Sequence, residues 1–119
     1  DMAGPWLLPR IVGAGKAREL FFRPGKFGAD TALEVGLVQA IYPEESFQSS
    51  VDAIVAEIAA SAPLAIGEMK KNFVSAENMG LRDYIDLETE RHSRTGASAD
   101  TQEAFKAFVE KRQPIFKGR

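Results

Sequence analysis

The apolar positions of the second half of the chain recur at helical spacing. Over residues 44–60 they fall on one face of a helix, at positions 47, 51, 54, 55 and 58. A second helix is predicted to open at Pro63, because proline is tolerated in the first turn. A third is predicted from Leu81 to Gly96, and its later turns, 88–94, are polar on every side. The pattern therefore indicates a helical region.

One more helix is predicted close to the end of the chain. Asp100 is the predicted N-cap of this helix, with Glu103 three residues later as the partner of a capping box. Phe105, Phe108 and Val109 then line one face. The sequence thus predicts an amphipathic last helix whose start is fixed by its own carboxylates.

The first part of the chain is less regular. Residues 1–13 are predicted as a loop, because glycine and two prolines interrupt a short apolar run, although Pro9 could open a short helix. Residues 14–22 and 29–35 are predicted as short helices, and Gly36 as the left-handed cap of the second.

A single strand is predicted over residues 37–42, closed by Pro43. A lone strand leaves its backbone donors and acceptors without partners. Either it pairs with strands missing from this chain, or it is an extended loop. Because the sequence also starts at Asp1 with Met2 behind it, we interpret it as a fragment of mainly α class with one short strand.

Composition narrows the function classes. Of 119 residues, 45% are hydrophobic and 27% charged, and the net charge of −2 does not favour nucleic acid or a membrane surface as a partner. No apolar run reaches transmembrane length, and no cysteine is available for disulfides or thiolate metal sites. These features fit a reducing, cytoplasmic setting.

The motifs that usually carry chemistry are incomplete. The glycines at 13 and 15 before Lys16 lack the spacing and the Ser or Thr of a phosphate loop. His92 is the only histidine, so neither a metal site nor a Ser-His-Asp triad is predicted, and Glu88 is its expected surface neighbour. Basic residues gather at both ends, which suits either a phosphate-bearing small ligand or a solvated basic face.

The order of short motifs along the whole chain resembles the C-terminal half of the crotonase superfamily, the enoyl-CoA hydratase/isomerase group. The motifs are LPRIVG (8–13), AREL (17–20), GKFGA (25–29), ALEVGLV (32–38), Ala62-Pro63, Lys70, Asp100 with Glu103-Ala104, and AFVEKR (107–112) before Pro114 and Phe116. Within the superfamily, residues 1–10 and the pair 87–88 followed by 96–100 look like the epoxyphenylacetyl-CoA isomerase branch.

The resemblance implies a parent protein of about twice this length with an α/β crotonase fold, a ββα spiral. Its missing half would carry the oxyanion hole that stabilises a thioester enolate. Residues 1–42 would be the end of that core, and residues 43–119 a helical region for trimerisation and coenzyme A contact. The implied partners are an acyl-CoA substrate and further copies of the chain, in a trimer or hexamer. Coenzyme A enters as part of the substrate, and no prosthetic group is expected.

The resemblance also implies three site residues. Asp1 matches the acid/base of family isomerases, whereas the two catalytic glutamates of hydratases would lie upstream. Phe108 and Lys111 match residues that contact coenzyme A, although core packing is an alternative for Phe108. Ala104 departs from the glycine that the family often has there. The chain alone is expected to be inactive; the alternative is a self-standing helical oligomerisation module without catalysis.

Overall fold

A computed structural model describes residues 2–23 and 25–119, and the described residues form seven α-helices and no strand. The chain divides into two compact units, residues 1–50 and 51–119. The mainly α class is therefore confirmed, while the functional division at residues 42/43 stays a prediction. The helices are α1 (Gly4–Val12), α2 (Ala14–Phe22), α3 (Ala29–Glu34), α4 (Glu44–Ala59), α5 (Pro63–Ala76), α6 (Leu81–Gly96) and α7 (Ala99–Glu110).

The loop predicted over residues 1–13 is wrong, because most of it forms α1. Pro5 lies in the first turn, where a missing N–H costs nothing, so only Pro9 interrupts the helix interior. Arg10 places its guanidinium 3.6 Å from the centroid of the Trp6 ring and donates to the Trp6 carbonyl at 2.6 Å. This i,i+4 contact and packing against α2 offset the weak helix propensity of the segment.

The predicted helices at 14–22 and 29–35 are confirmed as α2 and α3. Gly36 has the predicted left-handed conformation, with φ +75°. Its N–H donates to the Leu33 carbonyl at 3.0 Å, and the N–H of Leu37 donates to the Ala32 carbonyl at 2.8 Å. This pair of bonds is a Schellman motif, which satisfies the last carbonyls of α3.

The strand predicted over residues 37–42 is not formed. These residues are an irregular connection between α3 and α4, as in the extended-loop alternative. A strand exists only through pairing, and residues 2–23 and 25–119 contain no second strand to pair with. The order of Pro24 and Gly25 predicts a turn over residues 23–26, but Pro24 lies outside the described part of the chain.

In the second unit, a polar cluster joins α5 to α6. Arg91 on α6 donates to Asn72 Oδ1 at 2.8 Å and to Ser75 Oγ at 3.1 Å, both on α5. Glu68, also on α5, lies with its Oε2 3.6 Å from Arg91 Nε and 3.6 Å from Arg94. We call Glu68, Asn72, Ser75 and Arg91 the α5–α6 latch. It explains how the later turns of α6, which are polar on every side, still pack on α5.

Large apolar side chains remain exposed on both units. Among the described residues, the buried apolar side chains are Ala17, Ala32 and Ala107, and no larger one is fully buried. By contrast, Phe73 is 67% exposed and Phe105 70% exposed. No single described helix is long and apolar enough to cross a membrane; α4 and α5 meet that length and composition test only as a pair bent by 100°.

Candidate functional site

The last helix, α7, starts two residues earlier than its sequence predicts. Its N-cap is Ser98, whose Oγ accepts the N–H of Thr101 at 3.2 Å. The Thr101 hydroxyl in turn donates to the Thr95 carbonyl at 2.8 Å, which ties the start of α7 to the end of α6. The predicted N-cap at Asp100 and the capping box with Glu103 are therefore wrong. Ser98 takes the capping position instead, because its side chain accepts the N–H of Thr101 in the first turn.

Asp100 instead holds the end of the chain. Its side chain is buried, with 3% of the residue exposed. Its Oδ1 accepts the N–H of Lys117 at 2.7 Å and its Oδ2 the N–H of Gly118 at 2.8 Å. The N–H of Asp100 donates to the carbonyl of Arg119 at 3.1 Å. One aspartate thus fastens three consecutive residues of the terminal segment to the first turn of α7.

Glu103, one helical turn later, holds the same segment at a second point. Arg112 donates to both of its carboxylate oxygens, and the N–H of Ile115 donates to Oε1 at 3.0 Å. Glu110 Oε2 accepts from Arg112 Nε at 2.6 Å. The pKa of Glu103 is lowered from its ordinary 4.5 to about 2. The largest cause is the hydrogen bonding from Arg112, and the second is the hydrogen bond from the N–H of Ile115. We call Asp100, Glu103, Arg112 and the segment 112–119 the C-terminal clasp.

The depressed pKa of Glu103 predicts a loss of stability in acid. The contribution of the ionised form is fully present above pH 4.5 and is lost as the pH falls through about 2. The urea midpoint of the chain should therefore fall between about pH 5 and about pH 3 more steeply than that of Glu103→Gln. The control Glu57→Gln, on an exposed part of α4, should keep the steep dependence. Equal slopes for the chain and Glu103→Gln would contradict the prediction.

The two residues predicted to contact coenzyme A lie at the C-terminal end of α7, next to the clasp. Phe108 is 84% exposed, so it does not pack into a core of this chain. Lys111 is exposed and has a left-handed backbone, with φ 54° and ψ 41°. Its N–H donates to the Phe108 carbonyl at 3.2 Å, and that of Arg112 to the Ala107 carbonyl at 3.0 Å. Both side chains are thus exposed three residues apart in the sequence, and an aromatic ring with a cation is a combination suited to a nucleotide.

The first unit contains a separate apolar cavity of about 560 Å³ between α1 and α2. Its single charged lining residue is Arg18, and no carboxylate or imidazole lines it among the described residues, so it can accept an apolar group but offers no acid or base. Asp1, the predicted catalytic residue, lies outside the described residues, and its role stays a prediction. The lining residues are Pro5, Pro9, Ala14, Ala17, Arg18, Phe21 and Phe22.

The remaining polar groups of the described residues concern metal binding and the surroundings of His92. Within the described part of the chain, no group of three His, Asp or Glu side chains could hold a metal ion. His92 is exposed and lines a small cleft between α5 and α6. Glu88, its expected neighbour, accepts a hydrogen bond from the Tyr84 hydroxyl at 3.0 Å.

Comparison with known proteins covers the whole chain. The sequence profile described as enoyl-CoA hydratase/isomerase matches residues 1–119. The 1,2-epoxyphenylacetyl-CoA isomerase of Escherichia coli K12 is 31% identical over 119 residues, which are 100% of this chain and 45% of that protein. The short-chain-enoyl-CoA hydratase of Clostridium acetobutylicum is 32% identical over 114 residues, 92% of this chain and 42% of that protein.

Solved structures give the same result. The crystal structure of an enoyl-CoA hydratase from Bacillus anthracis matches with a TM-score of 0.90 at 29% identity. The match covers 98% of this chain and 45% of that one. The chain therefore spans a little under half the length of the relatives it matches.

Proposed function

Because the chain belongs to the enoyl-CoA hydratase/isomerase family, we propose that it is the C-terminal part of an enzyme that acts on an acyl-CoA thioester. The observation that carries this proposal is the match over all of residues 1–119, to relatives of about twice that length. The parent enzyme has the α/β crotonase fold, and the remaining polypeptide supplies its ββα spiral. The oxyanion hole lies in that polypeptide.

The chemistry we propose is a proton shift through an enolate. Asp1 removes a proton from the acyl chain, and the electrons move onto the thioester oxygen, where backbone N–H groups of the oxyanion hole stabilise the charge. Asp1 then returns the proton to a different carbon, which isomerises the double bond. A hydratase uses upstream glutamates and water instead. The similarity of residues 1–10 to the epoxyphenylacetyl-CoA isomerase branch favours isomerisation.

The C-terminal end of α7 is the proposed contact for coenzyme A. Phe108 packs against the adenine and Lys111 faces a phosphate group. The exposure of both residues at adjacent turns supports this assignment. The segment 43–119 also forms the proposed trimer contact, and the exposed apolar side chains of α5 and α7 are suited to burial against other polypeptide. We place the enzyme in the cytoplasm, a location that fractionation of cells would test.

The decisive experiment is an activity assay of the full-length polypeptide that carries this sequence. It should isomerise a 3-enoyl-CoA or hydrate a 2-enoyl-CoA, and Asp1→Asn should lower kcat by about 10²–10⁴-fold, the usual effect of losing an acid/base. Asp30→Asn, an exposed aspartate on α3, is the matched control and should keep full activity.

The outcomes separate the competing functions. Absence of turnover with either substrate would overturn the enzyme assignment, and full activity of Asp1→Asn would overturn the role of that carboxylate. The chain of 119 residues on its own should show no turnover, since it lacks the oxyanion donors. The alternative, a helical oligomerisation module, is favoured by the open apolar faces and would leave even the full-length polypeptide inactive.

A further inference from the structure

We propose that the C-terminal clasp positions Lys111 for the phosphate of coenzyme A, with Asp100 and Glu103 as the positioning residues. This inference rests on the proposed function, since it concerns the same coenzyme A contact. Neither carboxylate reaches the ligand in this proposal. Both act through the backbone of the segment that follows Lys111.

The clasp fixes that backbone at several points. Asp100 accepts the N–H groups of Lys117 and Gly118 at 2.7 and 2.8 Å, and Glu103 accepts that of Ile115 at 3.0 Å. Arg112, the first residue after Lys111, forms ion pairs with both Glu103 and Glu110. The segment after α7 is therefore bonded back to the helix, and Lys111 is the residue at which the chain turns.

The turn itself requires such support. A lysine in the left-handed region, here with φ 54°, is less stable than glycine, because its Cβ crowds the following carbonyl. A helix end that needed only the turn would be served better by glycine. Here a lysine occupies the turn, and four residues of the segment after it are bonded to carboxylates of α7, which indicates that the direction of its side chain matters.

Enzyme kinetics of the full-length polypeptide distinguish two effects of Asp100 and Glu103: positioning of Lys111, and direct repulsion of the phosphate by their charges. Asp100→Asn and Glu103→Gln each remove a negative charge from the earlier turns of α7, which by electrostatics alone would leave binding of an anionic phosphate unchanged or tighten it. Positioning predicts the opposite sign: KM for the acyl-CoA should rise about 3–10-fold with kcat unchanged. An N-acetylcysteamine thioester of the same acyl group lacks the phosphates, so its KM should not change. Glu90→Gln, in an exposed ion pair with Arg94, is the matched control.

Lys111→Gly tests the contact on which the inference depends. It keeps the turn but removes the cation, so it should raise KM for the acyl-CoA and leave the N-acetylcysteamine thioester unaffected. If Lys111→Gly has this effect and the clasp variants lower or do not change KM, the positioning role is overturned and the coenzyme A contact survives. If Lys111→Gly has no effect, the contact itself fails.

Amide hydrogen exchange supplies a second readout. Exchange of the Lys117 and Gly118 amides should accelerate in Asp100→Asn, and that of Ile115 in Glu103→Gln. Should Asp100→Asn fail to fold, Glu103→Gln carries the test, because Glu103 is on the more exposed side of the clasp. Faster exchange with an unchanged KM would assign the clasp to stability alone and overturn the proposal.

Discussion

Replacement of Asp100 by alanine is expected to lower the free energy of unfolding by about 2–4 kcal/mol, because two hydrogen bonds to a buried carboxylate are lost together. The N–H groups of Lys117 and Gly118 lose their acceptors, and the segment 112–119 is left tied to α7 only through Glu103. The urea midpoint of the chain, read by circular dichroism, measures the loss.

The matched control for Asp100→Ala is Glu90→Ala. Glu90 also accepts a bond from an arginine, Arg94 at 3.1 Å, but on an exposed helix face, where such a pair contributes less than about 1 kcal/mol. Asp100→Asn should fall between the two, because an amide oxygen still accepts one of the N–H groups. A loss below about 1 kcal/mol for Asp100→Ala would mean that the terminal segment does not add to stability.

Replacement of Arg91 by alanine should lower the free energy of unfolding by about 2–3 kcal/mol. Only 13% of its side chain is exposed, and its loss removes the donors to Asn72 and Ser75. It also removes one of the cations near Glu68. Within the described residues, Oε2 of Glu68 is buried and accepts no hydrogen bond, so the nearby positive charges are what stabilise it. The cost is therefore that of the lost bonds together with a weaker charge balance at Glu68, which keeps Lys71 at 2.7 Å and Arg94 at 3.6 Å.

A double substitution tests this explanation of Arg91. Glu68→Leu combined with Arg91→Met removes both charges, so it should cost less than the sum of the two single changes. Lys71→Ala is the control at the rim of the latch, where the lysine side chain is 60% exposed and its bond to Glu68 should contribute less than about 1 kcal/mol. Additive losses in the double variant would show that Glu68 and Arg91 stabilise the α5–α6 pair independently.

The helices that the sequence predicts well are those in which apolar residues recur at helical spacing over many residues. The start of α5 follows from Pro63 and the end of α6 from Gly96, because both residues act locally on the backbone. The helix α1 is missed because Gly4 and Pro5 are helix breakers in most places, but here they lie at the first turn, where they do no harm. Local signals are ambiguous when their effect depends on position within an element.

The clasp could not be predicted from local spacing. The partners of Asp100 lie 17 and 18 residues away, and they are backbone N–H groups that carry no sequence signature. The same carboxylate has a plausible local role as an N-cap, which Ser98 takes instead. Phe108 and Lys111 were found through the family resemblance, whereas the left-handed backbone of Lys111 is visible only in three dimensions.

The buried apolar side chains of the described residues are all alanines, and this predicts the heat-capacity change that calorimetry would measure on unfolding. Heat capacity and urea sensitivity of unfolding both scale with the apolar surface that becomes exposed. With Ala17, Ala32 and Ala107 as the buried apolar residues of the described chain, the isolated polypeptide should unfold with a small heat-capacity step for its size. A large step would therefore report the docking of its exposed faces, so calorimetry can serve as an assay for assembly with the rest of the proposed enzyme.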